Sequence, residues 1–180
     1  MKAEKIVQFV CFETILPSEQ FILKWEEYAR SVNSDLDVTM QQSEKNGVFR
    51  YIAQHRCVAG EFQFFFTKSR RSSRTPEVSI REKQVGGYSI LQVERTSEAH
   101  SDESKVFVFL SDPSADLNQY RQITSHAKLN IYEAYFENCQ YSYIIEFFVK
   151  NKFVAEFLDQ LKQYDLAELG IYKECVLQTL

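Results

Sequence analysis

The chain reads as an α+β protein made of two tandem βαββαβ halves whose antiparallel sheets face each other. Three observations carry that reading. An eight-residue stretch, Lys45-Asn46-Gly47-Val48-Phe49-Arg50-Tyr51-Ile52, returns 92 positions later as Glu137-Asn138-Cys139-Gln140-Tyr141-Ser142-Tyr143-Ile144. The elements around it recur in the same order. Lys5–Phe9 is echoed by Lys105–Phe109, Pro17-Ser18 by Pro113-Ser114, Phe62 by Phe153, and Ile80–Lys83 by Ile171–Glu174. Finally, the hydrophobic period switches between strand and helix at matching places in each copy, as expected of one supersecondary unit used twice.

Ile6 to Phe12 is β-branched and aromatic and reads as a strand apolar on both faces, the mark of a strand in the middle of something. From Pro17 the period becomes helical. Phe21, Ile22, Trp25, Tyr28, Ala29 and Val32 form one stripe, with Glu19, Lys24, Glu26, Glu27 and Arg30 opposite. Pro17 suits the first turn, and Asn33-Ser34-Asp35 ends the helix. Trp25 is therefore expected to be buried against the sheet. Val38–Gln42 and Val48–Cys57 read as strands joined around Asn46-Gly47, a hairpin signal because both residues tolerate positive φ. Glu61–Lys68 fits strand or helix, and the repeat favours helix. Val78–Lys83 and Tyr88–Val93 read as two strands folded back on each other at Gly86-Gly87.

Thr96 to Ser104 is polar without periodicity and reads as a linker. The halves are placed at residues 4–95 and 104–180, with 96–103 between them. In the second copy Val106–Leu110 is a strand, Pro113 to about Ser125 a shorter helix, and Leu129–Phe136 with Gln140–Val149 a hairpin. Phe153, Phe157, Leu158 and Leu161 mark a helix, and Gly170–Leu177 a last strand. Each half thus follows the ferredoxin-like plan, a four-stranded antiparallel sheet with helices on one face. The other face carries Ile52 in the first half and Ile144 and Phe148 in the second, an apolar surface that must be covered. Setting the half-sheets face to face covers both.

Composition narrows the function classes. An apolar fraction of 44% and a charged fraction of 26% suit a folded core rather than disorder. Fifteen Phe and ten Tyr beside five Gly and three Pro favour broad β surfaces. The net charge of −4 argues against non-specific nucleic-acid binding, which needs a basic field. Residues 1–13 carry neither the apolar run nor the cleavage site of a secretion signal, and no apolar run reaches membrane-spanning length. Cys11, Cys57, Cys139 and Cys175 are far apart and mostly within apolar patterns. They read as reduced structural thiols in a cytoplasmic protein, with no metal-ligand spacing among them.

The element order and the Asn46 and Asn138 hairpins resemble the dimeric α/β-barrel superfamily, in which two ferredoxin-like units form a barrel from their sheets. Members include antibiotic-biosynthesis-monooxygenase-like proteins, stress-responsive barrel proteins and chlorite-dismutase-like haem proteins. The resemblance implies a pseudo-dimeric α/β barrel and a space between the sheets used for small, often aromatic or polyketide-like substrates, sometimes haem. It assigns no catalytic residue here.

Candidate chemistry centres on the third strand. Arg50, Gln54 and Arg56 alternate onto one face, and the fourth strand adds Arg81; lining the barrel, they would suit an anionic or carbonyl-bearing ligand. Glu146 stands at the repeat position of Gln54, and the competing reading is that it pairs with Arg50 across the barrel. His55 shares the other face with Phe49, Tyr51 and Ala53; it is a core residue, or the one histidine placed to act as base or haem ligand. His100 and His126 read as surface residues. The basic run Lys68–Arg74 lacks interleaved aromatics and reads as a solvated loop. An RNA-recognition motif is not matched at Asn46–Tyr51, no helix-turn-helix is added, and the loop Glu13–Glu19 lacks the glycine of an amino-acid-binding regulatory domain.

Two functions follow from different classes. One is a cofactor-free enzyme of the monooxygenase, isomerase or lyase type with a pocket between the half-sheets. The other is a non-catalytic ligand-binding or assembly module with a side-chain-packed barrel. Neither calls for a cofactor or metal. The expected partners are a small ligand and, for a homo-oligomer, a second copy of the chain, with no nucleic acid or membrane.

Overall fold

The structure is a computed structural model that describes residues 5–14, 16–32, 37–45, 47, 49–58, 80–92, 102–123, 127–134, 141–164 and 168–174. Within them lie β1 (Lys5–Thr14), α1 (Ser18–Val32), β2 (Asp37–Lys45), β3 (Tyr51–Val58), β4 (Ile80–Gln92) and β5 (Glu103–Leu110). There follow α2 (Leu117–Gln122), β6 (Ala127–Ala134), β7 (Tyr143–Lys150), a 3₁₀ turn (Asn151–Phe153), α3 (Val154–Leu161) and β8 (Glu168–Glu174). The helix expected at 61–68, the basic run 68–74, His100, His126, Cys139, Cys175 and residues 96–101 of the linker lie outside the described residues.

The strands pair antiparallel throughout and close into one barrel in the cyclic order β1-β3-β2-β8-β5-β7-β6-β4. Such a ring gives each strand an inner and an outer face. β1 shows why it is apolar on both. Val7, Phe9 and Cys11 belong to the interior cluster, whereas Val10 and Phe12 pack with Phe21 and Trp25 of α1. Phe21 stacks on Tyr51, ring centroids 4.2 Å apart, and meets Phe12 edge-on at 5.4 Å. Trp25 is buried in the same cluster, as its place on the helical stripe predicts. The second outer core sets Val106, Val108, Ile145 and Phe147 against Tyr120, Phe157 and Leu161 of α2 and α3. Ile52, Ile144 and Phe148, expected to need cover, are all buried.

Three expectations are corrected. Gly86-Gly87 does not reverse the chain. β4 runs straight through it, with Gly86 opposite Phe9 and Gly87 opposite Gln8 of β1. Thirteen residues are needed because β4 pairs with β1 on one side and, from Tyr88 on, with β6 on the other. The β2–β3 connection has the expected length but lies three residues later, since β2 ends at Lys45 rather than Gln42 and β3 starts at Tyr51 rather than Val48. Ser43 Oγ accepts from the Gly47 N–H at 3.1 Å, and the Arg50 N–H donates to the Phe12 carbonyl at 3.1 Å, which tie this loop down. Lastly, α2 starts four residues after Pro113. Asp116 is its N-cap, accepting from the Asn118 N–H at 3.0 Å, while Asp112 closes a separate turn onto Ser114. β5 begins at Glu103, which pairs with Lys150 of β7.

No helix among the described residues is long and apolar enough to cross a membrane.

Candidate functional site

The barrel interior has two zones. Towards the β2–β3 loop it is aromatic. Phe9 meets Tyr132 edge-on at 5.0 Å and Phe107 at 6.2 Å, and Phe109 lies 5.1 Å from Tyr141 and 5.6 Å from Phe49. Tyr172 closes this zone. Its hydroxyl donates to the Phe49 carbonyl at 3.0 Å and accepts from the Phe49 N–H at 3.3 Å, and Tyr141 donates to Glu168. Burial raises the pKa of both phenols, so they remain protonated donors.

Towards the opposite end the interior turns polar around Glu146, which is fully buried on β7. Each partner arrives by strand alternation. Asn130 and Tyr132 come from β6, Gln54 from β3 and Lys105 from β5. Tyr132 donates to Glu146 Oε2 at 2.7 Å and Asn130 Nδ2 to the same oxygen at 3.1 Å. Gln54 Nε2 donates to Oε1 at 3.3 Å, and Lys105 Nζ stands 3.4 Å from Oε1. Burial alone would push the Glu146 carboxyl up. The Lys105 charge, the two hydrogen bonds from β6 and the Arg56 charge outweigh it and hold the group below its ordinary value. Tyr132 is pushed far up, chiefly by burial and then by the neighbouring carboxylate. Glu146 is therefore an ionised, four-donor hub.

A second layer lies behind it. Gln54 Oε1 accepts from Thr39 Oγ1 at 3.2 Å and from Gln41 Nε2 at 3.5 Å. Lys105 also reaches Glu174 Oε2 on β8 at 3.1 Å and lies 5.6 Å from the centre of the Phe148 ring. Glu174 is half exposed, so the network reaches solvent through this side chain.

The expected site residues are only partly brought together. Gln54 and Glu146 meet, and half-buried Arg56 acts on Glu146 through its charge. Arg50 does not pair with Glu146. It is exposed, with its guanidinium 5.6 Å from the Tyr51 ring centre, because β3 begins only after it. His55 lies on the outer face with Tyr51 and Ala53, beneath α1 and edge-on to Trp25 at 5.8 Å. Phe49, expected on that face, precedes the strand and turns into the interior instead. Burial lowers the His55 pKa to about 3, so its imidazole is neutral.

Lys105, Tyr132, Asn130 and Gln41 lie outside the set expected from sequence. The signal for Lys105 was present, since strand alternation puts it on the face of Phe107 and Phe109, where a charge demands a buried partner. The described residues do not fit a haem. His55, the one histidine among the described residues, is wedged into the outer core rather than facing the barrel. No cluster of three His, Cys, Asp or Glu among the described residues is placed to hold a metal.

No family model matches the chain, and no curated protein matches it. Solved structures do. A chlorite dismutase variant from Candidatus Nitrospira defluvii superposes with a TM-score of 0.60 at 10% identity, over 96% of this chain and 93% of that one. The same enzyme in complex with imidazole gives 0.55 at 10%, over 96% and 92%. A second chlorite dismutase-like protein gives 0.61 at 7%, over 97% and 96%. At such identities the likeness is one of fold alone.

Proposed function

We propose that this protein is a non-catalytic small-molecule-binding module, a barrel packed with side chains along most of its length that meets its ligand at the polar end. The observation that carries this reading is the saturation of Glu146. A general base needs a lone pair facing its substrate. Both Glu146 oxygens are instead committed to Gln54, Lys105, Asn130 and Tyr132. The aromatic zone beyond is filled by Phe9, Phe107, Phe109, Tyr141 and Tyr172. A cofactor-free monooxygenase, isomerase or lyase would need polar groups converging on a substrate-sized space.

We further read the chain as two tandem ferredoxin-like halves, the first ending before 96 and the second beginning by 104. Strand order supports it. The first four strands lie in the order β4-β1-β3-β2 and the last four in the order β8-β5-β7-β6, the same sequence of positions in each.

The test is a thermal-shift screen of polar metabolites on the full chain, followed by mass spectrometry of each stabilising compound after incubation. Compounds that raise the melting temperature and are recovered unchanged support a binding module. Turnover of any of them overturns it.

A further inference from the structure

We propose that the polar end of the barrel, between β2, β5 and β8, binds a primary ammonium group, with Gln41 and Glu174 as its acceptors. The proposal rests on the small-molecule-binding reading above and names the ligand class.

The orientation of Gln41 follows from Glu146 by a chain of amides. Glu146 Oε1 accepts from Gln54 Nε2, which turns the Gln54 carbonyl towards β2. That carbonyl accepts from Thr39 and Gln41, so Gln41 must present its nitrogen to it. A flipped Gln41 would set two amide oxygens against each other. Gln41 Oε1 therefore points away from Gln54. It is buried and has no hydrogen-bond partner among the described residues. A buried amide oxygen left in that state is costly, and native structures rarely tolerate it.

What Gln41 Oε1 lacks is a donor, and its surroundings say which kind. Gln41 stands directly opposite Glu174 in the β2–β8 register, so the two side chains share a face and leave their strands as neighbours. One Glu174 oxygen is held by Lys105 at 3.1 Å, and the side chain is 46% exposed. Lys105 itself lies between two carboxylates, Glu146 and Glu174. Its charge is already matched, which points away from an anion. A group flanked by an amide oxygen and a carboxylate must donate twice, and a primary ammonium does so while adding a charge that the second carboxylate favours. Glu174 at the rim supplies the way in.

The experiment is thermal melting of the full chain in methylammonium chloride, with tetramethylammonium chloride and sodium chloride at equal ionic strength as controls. Methylammonium is expected to raise the wild-type melting temperature by about 3–6 °C at ten times its dissociation constant. Tetramethylammonium, which cannot donate, should give no such rise. Gln41→Met and Glu174→Gln should each abolish the response, and Glu174→Gln, at a half-exposed position, keeps the test valid if Gln41→Met fails to fold. No rise in wild type, an equal rise with tetramethylammonium, or a response retained in the folded variants overturns the proposal. In the first case Gln41 is satisfied by a buried water. Failure here with other ligands found in the metabolite screen removes the ammonium class alone, whereas no ligand of any kind removes the binding reading too.

Discussion

Gln54 and Glu146, 92 positions apart and equivalent in the internal repeat, hydrogen-bond to each other at 3.3 Å inside the barrel. Phe49 and Tyr141, the same distance apart in the chain, also touch, with ring centroids 6.4 Å apart. β3 and β7 occupy opposite positions in the ring of eight, and in the tandem-half reading proposed above such pairs would lie near the axis relating the halves. A symmetric pair of carboxylates there would repel, since two like charges in one buried site cannot both ionise. An amide facing a carboxylate, as Gln54 faces Glu146, avoids that conflict.

The Lys105–Glu146 pair is expected to be strongly coupled. Glu146→Leu or Lys105→Met should each cost about 3–5 kcal/mol, because either leaves a buried charge short of its partner. The double variant should cost less than the sum by about 1–3 kcal/mol. Urea denaturation of the four proteins measures this, and additive costs would show that the pair does not interact.

His55 makes the fold sensitive to acid. Its folded pKa of about 3 lies below its ordinary value of 6.5, so the unfolded chain takes up a proton first. The contribution of the neutral imidazole is complete above about pH 6.5 and is lost as pH falls towards 3, at about 1.4 kcal/mol per pH unit. His55→Phe, which keeps an aromatic edge against Trp25, should lose stability more slowly between pH 6.5 and 4. Parallel curves for the two proteins would be inconsistent with a buried neutral imidazole.

Trp25→Ala should cost about 3–5 kcal/mol, the usual range for deleting a large aromatic from a core. Trp25 is the single tryptophan, so native emission reports on it alone. Emission should be blue-shifted when folded and move to the red on unfolding. A solvent-like native maximum would contradict its burial.

The elements legible in the sequence were those with a long period or a neighbouring copy. The stripe of Phe21 and Trp25 located α1, and β1, apolar on both faces, did lie between two cores. Face assignment failed where an element boundary moved. Arg50 and Phe49 sit just before Tyr51, so strand alternation could not be extended to them. Gly86-Gly87 misled because glycine also serves inside strands where another backbone runs close. The partners of Glu146 were hidden for a different reason. Asn130 and Tyr132 on β6 and Lys105 on β5 flank β7 in registers that the strand pattern alone does not fix, and Gln54 on β3 reaches Glu146 only across the closed ring.

Gly170→Ala tests the contact of β8 with the β2–β3 loop. A Cβ at this position would lie 2.7 Å from Gly47 Cα and 2.8 Å from Tyr172 Cε2, and the first of these is backbone that must shift. A cost of about 1–3 kcal/mol is expected from such overpacking. Chemical denaturation measures it, and a neutral result would mean that the loop stands farther from β8.

β4 is hydrogen-bonded to β1 along one edge and to β6 along the other. The two pairings overlap only from Tyr88 on, and Ile80–Gly87 meets β1 alone among the described strands. Recruitment of an extended peptide as an extra strand, and the edge-to-edge growth that leads to fibrils, both start from a row of unpaired peptide groups. Where strands are paired on both edges neither route is open. A strand added to this ring would have to enter beside a stretch such as Ile80–Gly87.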